Sequence, residues 1–174
     1  MRRRIASGAC AAALLALALA ACGYHIVGMG GRLPGGVTRV EVPIFENLTV
    51  RGDIGRLLTE DVIKELLASG KVQVVGAEEA QAVIRATVTT YKRDPITFDA
   101  KQKPLENRIT IVMDAALVAR PDERQLFTER NVVSRFDYPV TSNLQASDRE
   151  EEQALRDAAK QMSQKLVSLM LEGF

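Results

Sequence analysis

The chain has 174 residues, of which 23 are basic and 22 acidic, so its formal net charge is only +1 at pH 7. This balance excludes the strongly basic composition of nucleic-acid-binding proteins, and there is no basic and aromatic repeat on which bases could stack. One of the two cysteines, Cys10, lies in an N-terminal leader, so we expect neither a disulfide nor a structural metal site.

The first 21 residues are typical of a secretory signal peptide. Three arginines at positions 2 to 4 precede an apolar run of about 13 residues, shorter than the roughly 20 that a membrane-spanning helix needs. The run ends in Leu19-Ala20-Ala21-Cys22, which resembles the bacterial lipobox. That resemblance implies cleavage before Cys22 and attachment of acyl chains, palmitate among them, which together anchor a protein stably. An ordinary secreted protein cut nearby is the alternative.

Removal of the signal peptide leaves 153 residues, with 20 basic and 22 acidic side chains, which is enough for one compact domain. We expect a lipidated Cys22 with a Gly/Pro-rich tether over residues 22–36 and a single domain over 37–174. Gly23 follows the cysteine, where an Asp would resemble an inner-membrane retention signal of Gram-negative lipoproteins. The lipobox resemblance therefore implies a lipid anchor on the periplasmic side of the outer membrane.

The domain is predicted to open with a strand, a helix and a second strand. The segment Thr38 to Phe45 alternates apolar and charged residues, and Pro43 favours an edge position or the strand's end. From Asp53 to Gly70 the apolar residues recur at helical spacing, with Asp53 as a possible N-cap and Gly70 as the stop. A short apolar piece, Val72 to Val75, follows, so that this opening implies a parallel crossover.

Three long extended runs and a final helix complete the pattern. The runs Ala80 to Lys92, Arg108 to Ala119 and Gln125 to Tyr138 predict an antiparallel meander, and Ser147-Asp148-Arg149-Glu150 predicts a capping box that starts the last helix. The sequence therefore predicts an α+β two-layer sandwich, with two helices packed on one face of a mixed sheet of about four long strands. The opposite face would carry the apolar residues Tyr91, Val112, Ala116, Val118 and Val133 and is a candidate interaction surface.

The most basic stretch of the domain is a predicted loop from Lys92 to Asn107. Arg93, Lys101, Lys103 and Arg108 gather around its prolines, and such clustered cations attract phosphates or acidic sugars. We take these four as candidate ligand-binding residues. A solvated hairpin loop whose charges are offset by nearby carboxylates is the alternative.

The sequence offers little on which to build an active site. The only histidine, His25, lies three residues from the predicted anchor, and no catalytic triad, P-loop or metalloprotease motif occurs. We expect a protein that is not an enzyme and that carries no cofactor.

The order of these features resembles the LptE family of lipopolysaccharide-assembly lipoproteins. The most specific motif is the start Cys22-Gly23-Tyr24-His25, with Leu33-Pro34 shortly after it. The resemblance implies an outer-membrane lipoprotein that plugs the LptD β-barrel, assists its assembly and binds lipopolysaccharide during transport to the cell surface. The family's basic contacts would fall on Lys101 and Lys103, whereas Ser147 and Arg149 do not clearly reproduce the lysine near the last helix. A lipoprotein that activates a periplasmic cell-wall synthase is the alternative function.

Overall fold

The structure is a computed structural model that describes residues 32–141 and 144–172. The predicted signal peptide and Cys22 lie outside these residues. After a short 3-10 helix, Pro34–Gly36, the elements in chain order are β1 (Arg39–Glu41), β2 (Glu46–Asn47), α1 (Ile54–Ser69), β3 (Gln73–Val74), β4 (Ala82–Phe98), β5 (Pro104–Ala119), β6 (Gln125–Pro139) and α2 (Leu144–Glu172).

The six strands form one mixed sheet in the order β3-β1-β4-β5-β6, and β2 also pairs with β4. Pairing is parallel among β1, β2, β3 and β4, and antiparallel along β4, β5 and β6, which confirms the predicted crossover strands and meander. The strand count differs from the prediction of about four long strands, since three strands are long and three are short. The predicted first strand is shorter than expected, since β1 ends at Glu41 and the chain leaves the ladder around Pro43. β2 lies beyond the predicted strand and was not predicted.

Both helices pack on one face of the sheet, as predicted. The fully buried residues of α1 are Ile54, Leu58, Val62 and Leu66, which form a single apolar stripe. Gly70 adopts a left-handed φ of 65° and donates its N–H to the Leu67 carbonyl, so it ends the helix as expected. Asp53 is the N-cap residue, as predicted, but its carboxylate caps no helical N–H and accepts a bond from Arg51 at 2.9 Å.

The last helix is longer than predicted. It begins at Leu144, so that Ser147 lies inside it and the predicted capping box is wrong. Its buried stripe is the predicted one: Ala154, Leu155, Ala158, Met162, Leu166 and Met170. Neither helix in the described part of the chain is long and apolar enough to cross a membrane.

A β-bulge at Thr89 changes which residues of β4 face the helices. Val88 pairs with Met113 but Thr90 pairs with Val112, so one extra residue is inserted in β4. Tyr91 therefore pairs with the buried Ile111 and packs against the core, and not on the opposite face as predicted. Val118 does lie on that face but is buried, with 5% of its surface exposed.

Candidate functional site

The predicted basic loop is mostly strand. β4 continues to Phe98 and β5 resumes at Pro104, so that the turn itself spans only residues 99–103. We call residues 98–105 the hairpin tip. Because the strands are longer than predicted, the four candidate cations are spread along the hairpin and not gathered in one loop.

Asp99 organises the turn. Its Oδ1 accepts the backbone N–H groups of Lys101 and Lys103, each at 2.8 Å, and its own N–H donates to the Lys103 carbonyl at 2.9 Å. An Asp that bonds the backbone two residues further on is the usual device of a tight polar turn. Both lysine side chains are exposed, and neither ammonium pairs with a carboxylate of another described residue. The turn therefore presents two free cations.

Two apolar side chains flank these lysines. Phe98 is 47% exposed and Leu105 is 45% exposed, one at each end of the tip. Exposed large apolar residues beside free cations match a ligand that has both an anionic and an apolar part. Sequence reasoning missed this pair, although both residues lie within the predicted basic loop.

Arg93 and Arg108 lie on opposite faces of the hairpin, and each is engaged by a carboxylate. Arg93 pairs with Glu151 of α2, and the negative charge of Glu151 raises the pKa of the guanidinium. Arg108 donates two hydrogen bonds to Asp137, at 2.6 and 2.7 Å. These bonds raise the pKa of Arg108 and lower that of Asp137. Both arginines are thus less available to a ligand than the two turn lysines.

The face of the sheet opposite the helices carries no helix of the described chain. We call it the open face and define it by the outward-facing residues of four strands: Glu46 of β2; Arg85, Thr87, Thr90, Lys92 and Asp94 of β4; Glu106, Arg108, Thr110, Val112, Asp114 and Ala116 of β5; Thr128, Arg130, Val133, Arg135 and Asp137 of β6. The predicted apolar residues Val112, Ala116 and Val133 are partly exposed there.

An exposed apolar segment borders this face. Ile44 is 72% exposed, Leu48 is 65% exposed and Val50 is 98% exposed. Leu48 follows β2 and donates its N–H to the Val88 carbonyl at 3.0 Å, which places it at the edge of the sheet beside β4. Ile44 was expected in the predicted first strand, so the sequence did not indicate its exposure, whereas Leu48 and Val50 follow that strand.

Comparison with known proteins identifies a family and a fold. A family model described as LptE, lipopolysaccharide-assembly, matches residues 37–170. No curated protein matches the chain by sequence.

Solved structures with similar folds share little sequence with the chain. A lipoprotein B of Nitrosomonas europaea has a TM-score of 0.57 at 17% identity, covering 84% of this chain and 91% of its own. The rare lipoprotein B of Shewanella oneidensis has a TM-score of 0.51 at 18% sequence identity. The match covers 76% of this chain and 93% of the Shewanella chain. The PelC dodecamer of Paraburkholderia phytofirmans has a TM-score of 0.52 at 14% sequence identity. The match covers 82% of this chain and 96% of the PelC chain. At these identities the likeness concerns the fold alone.

Proposed function

Since the chain belongs to the LptE family of lipopolysaccharide-assembly proteins, we propose that it acts in lipopolysaccharide transport at the outer membrane. It plugs the LptD β-barrel, assists assembly of that barrel, and contacts lipopolysaccharide on its way to the cell surface. The role is one of binding and positioning, without catalysis.

The proposal includes a lipid anchor on Cys22 at the periplasmic side of the outer membrane. Its support is the lipobox-like sequence Leu19-Ala20-Ala21-Cys22 at the end of an apolar leader. Two or more acyl chains hold a protein at a membrane, whereas one binds only marginally. Cys22→Ala should leave the domain folded and move it from the membrane to the soluble fraction. Continued membrane association of that variant would remove the anchor from the proposal.

The hairpin tip is the proposed contact for lipopolysaccharide. The single observation that carries this is the pair Lys101 and Lys103, which Asp99 presents free of carboxylate partners between Phe98 and Leu105. Lipid A joins phosphates to acyl chains, so its two chemical parts match the cations and the apolar residues. Arg93 and Arg108 would contribute only after leaving Glu151 and Asp137.

A titration of the full-length lipidated chain in detergent with lipopolysaccharide tests this contact. We expect Lys101→Glu/Lys103→Glu to weaken binding at least tenfold, because two attractions become two repulsions. The control is Lys64→Glu/Lys160→Glu, which reverses two exposed lysines on the helices, one of them paired with Asp61 at 2.8 Å, and should leave the affinity unchanged. Equal affinity of the tip variant and the unaltered chain would remove the tip from the site.

Affinity purification from native outer membranes tests the partner. Recovery of one large β-barrel protein in stoichiometric amount supports the proposal. Recovery of a periplasmic cell-wall synthase in its place would overturn it.

A further inference from the structure

We infer that the open face docks onto its protein partner through a small cavity beside Ala116, in which an aspartate or glutamate of the partner lies between Arg85 and Arg130. This inference rests on the proposed function, because it takes the partner to be the barrel. It adds which surface makes the contact and by what chemistry.

The free edges of the long strands β6 and β4 are poorly suited to strand addition, which favours the open face as the surface for docking. On β6, Lys165 of α2 donates to the Val133 carbonyl at 2.9 Å, so an acceptor on the outer edge is already occupied. Asn131 adopts a φ of 55° in a bulge and turns its N–H to Asp114. On β4, the bulge at Thr89 and the missing N–H of Pro95 interrupt the edge. Bulges, lysines and prolines are the devices that block pairing at edge strands.

The charge of the open face fits a protein and not a polyanion. Its defining residues include five cations and five carboxylates: Arg85, Lys92, Arg108, Arg130 and Arg135 against Glu46, Asp94, Glu106, Asp114 and Asp137. A surface that binds polyanions has an excess of basic charge. With a strand spacing of ~4.8 Å and a rise of ~3.3 Å per residue, the face covers on the order of 600 Å². That is comparable to the roughly 800 Å² that one partner contributes to a standard protein interface.

The cavity lies on this face between three strands. Its volume is about 170 Å³, and it is lined by residues of β4, β5 and β6, with Arg85, Thr87, Asp114, Ala116, Thr128 and Arg130 among them. A volume well below the roughly 300 Å³ of the smallest ligand pockets suits one side chain and not a small molecule. Ala116 pairs with both Arg85 and Thr128, and its methyl group leaves the space above it open.

Two arginines flank that space. Arg85 and Arg130 lie two strands and two residues apart, about 12 Å between backbones, so long side chains can reach a group above Ala116 from both sides. Arg130 forms no ion pair with another described residue, and the nearby Asp114 accepts the Asn131 N–H with its Oδ1. Arg85 donates to both carboxylate oxygens of Glu123, at 3.2 and 3.4 Å, so it contributes to the site only after leaving Glu123. These bonds are longer than those of Arg108 to Asp137, at 2.6 and 2.7 Å, and the pair opens more readily. Arginine binds carboxylates with two parallel bonds, so an acidic side chain is the expected occupant.

The test uses the full-length lipidated chain coexpressed with its barrel and purified from native outer membranes. We expect Arg85→Glu/Arg130→Glu to lower recovery of the barrel at least tenfold. The control Lys64→Glu/Lys160→Glu should recover as much as the unaltered chain. Circular dichroism and the lipopolysaccharide affinity of the hairpin tip should stay unchanged in both variants, which separates lost docking from lost folding.

A photo-crosslinking residue at Thr128, on the rim of the cavity, identifies what lies there. A crosslink to a barrel segment that contains an aspartate or glutamate supports the inference. Exchange of that acidic residue for arginine should then restore recovery of the barrel by the Arg85→Glu/Arg130→Glu variant. A crosslink to lipopolysaccharide or to a second copy of this chain would overturn it. If the unaltered chain recovers no barrel, the proposed function fails and the inference with it. Equal recovery by the double variant and the unaltered chain would reject the inference alone.

Discussion

Gly55, in the first turn of α1, lies against the backbone of Phe45: a β-carbon at this glycine would be 2.5 Å from the Phe45 carbonyl oxygen and 3.3 Å from the Asn47 side chain. The helix and the chain around β2 can therefore approach this closely only at a residue without a side chain.

Gly55→Ala should destabilise the domain by about 1–3 kcal/mol, because the backbone must move apart to admit the methyl group. In an open helical position the same change stabilises by up to about 1 kcal/mol. Gly76→Ala is the matched control, since nothing lies within 4 Å of a β-carbon there. Urea unfolding measures the stability of both variants. An unchanged unfolding midpoint for Gly55→Ala would contradict the close approach of Gly55 to the Phe45 backbone.

The hydroxyl of Thr59 holds the same two segments together from inside the core. Its Oγ1 accepts the Phe45 N–H at 2.9 Å and donates to the Gly55 carbonyl at 2.7 Å. Thr59→Val should lower the free energy of unfolding by about 1–3 kcal/mol, because the buried Phe45 N–H loses its acceptor. Thr59→Ser keeps the hydroxyl and should retain most of the stability. Equal losses in the two variants would assign the effect to packing.

The pair of Arg108 and Asp137 should make stability depend on pH in acid. Hydrogen bonds from Arg108 lower the pKa of Asp137 below its ordinary value of 3.8. A carboxyl whose folded pKa is depressed contributes stability above its unfolded pKa and loses it as the pH falls through the folded pKa. Asp137→Asn should therefore be less stable than the unaltered chain near neutral pH, and the difference should vanish in strong acid. Thermal unfolding at a series of pH values measures it, and a constant difference would contradict the linkage.

The phenolic oxygen of Tyr91 is buried without a hydrogen-bond partner among the described residues, and burial raises its pKa. Tyr91→Phe removes a desolvated polar group and keeps the ring, so stability should be unchanged or higher by about 1 kcal/mol. The control is Tyr138→Phe. The Tyr138 hydroxyl accepts a bond from Asn107 at 3.2 Å, so its removal should destabilise the domain by about 1 kcal/mol. If Tyr91→Phe lowered the free energy of unfolding as much as the control does, the Tyr91 hydroxyl would have to be hydrogen-bonded.

Periodicity predicted the elements that bury a continuous apolar stripe. The i+4 steps from Ile54 to Leu66 and from Ala154 to Met170 correspond to buried helix faces, and the alternation in β5 gave the buried positions of that strand. These patterns are reliable because burial repeats with the geometry of the element. Short strands bury too little to leave such a pattern, which is why β2 was not predicted.

Single-residue shifts were not predictable, because they leave no periodic trace. The bulge at Thr89 lies in a run of polar residues, and its effect on Tyr91 follows only from the pairing with Ile111. The start of α2 was misplaced because Ser147 and Glu150 form a capping box in sequence, whereas the preceding residues continue the helix in the fold.

The composition of the basic stretch was visible in the sequence, but its arrangement was not. Arg93 and Arg108 pair with carboxylates 58 and 29 residues away, so their engagement depends on tertiary contacts. Lys101 and Lys103 remain free because Asp99 uses its carboxylate on the backbone of the turn.

The length of β4 has a mechanical consequence. The chain enters the domain where the Thr38 N–H donates to the Gln81 side chain at 2.9 Å, next to the start of this strand. The hairpin tip is at the far end of the strand. Its 17 residues, at ~3.3 Å each, extend about 56 Å, well beyond the roughly 30 Å hydrocarbon core of a bilayer. The sheet is therefore a spacer whose length sets the reach of Lys101 and Lys103. Adding or removing residues in pairs on both β4 and β5 would change that reach by about 7 Å per pair and keep each face turned the same way.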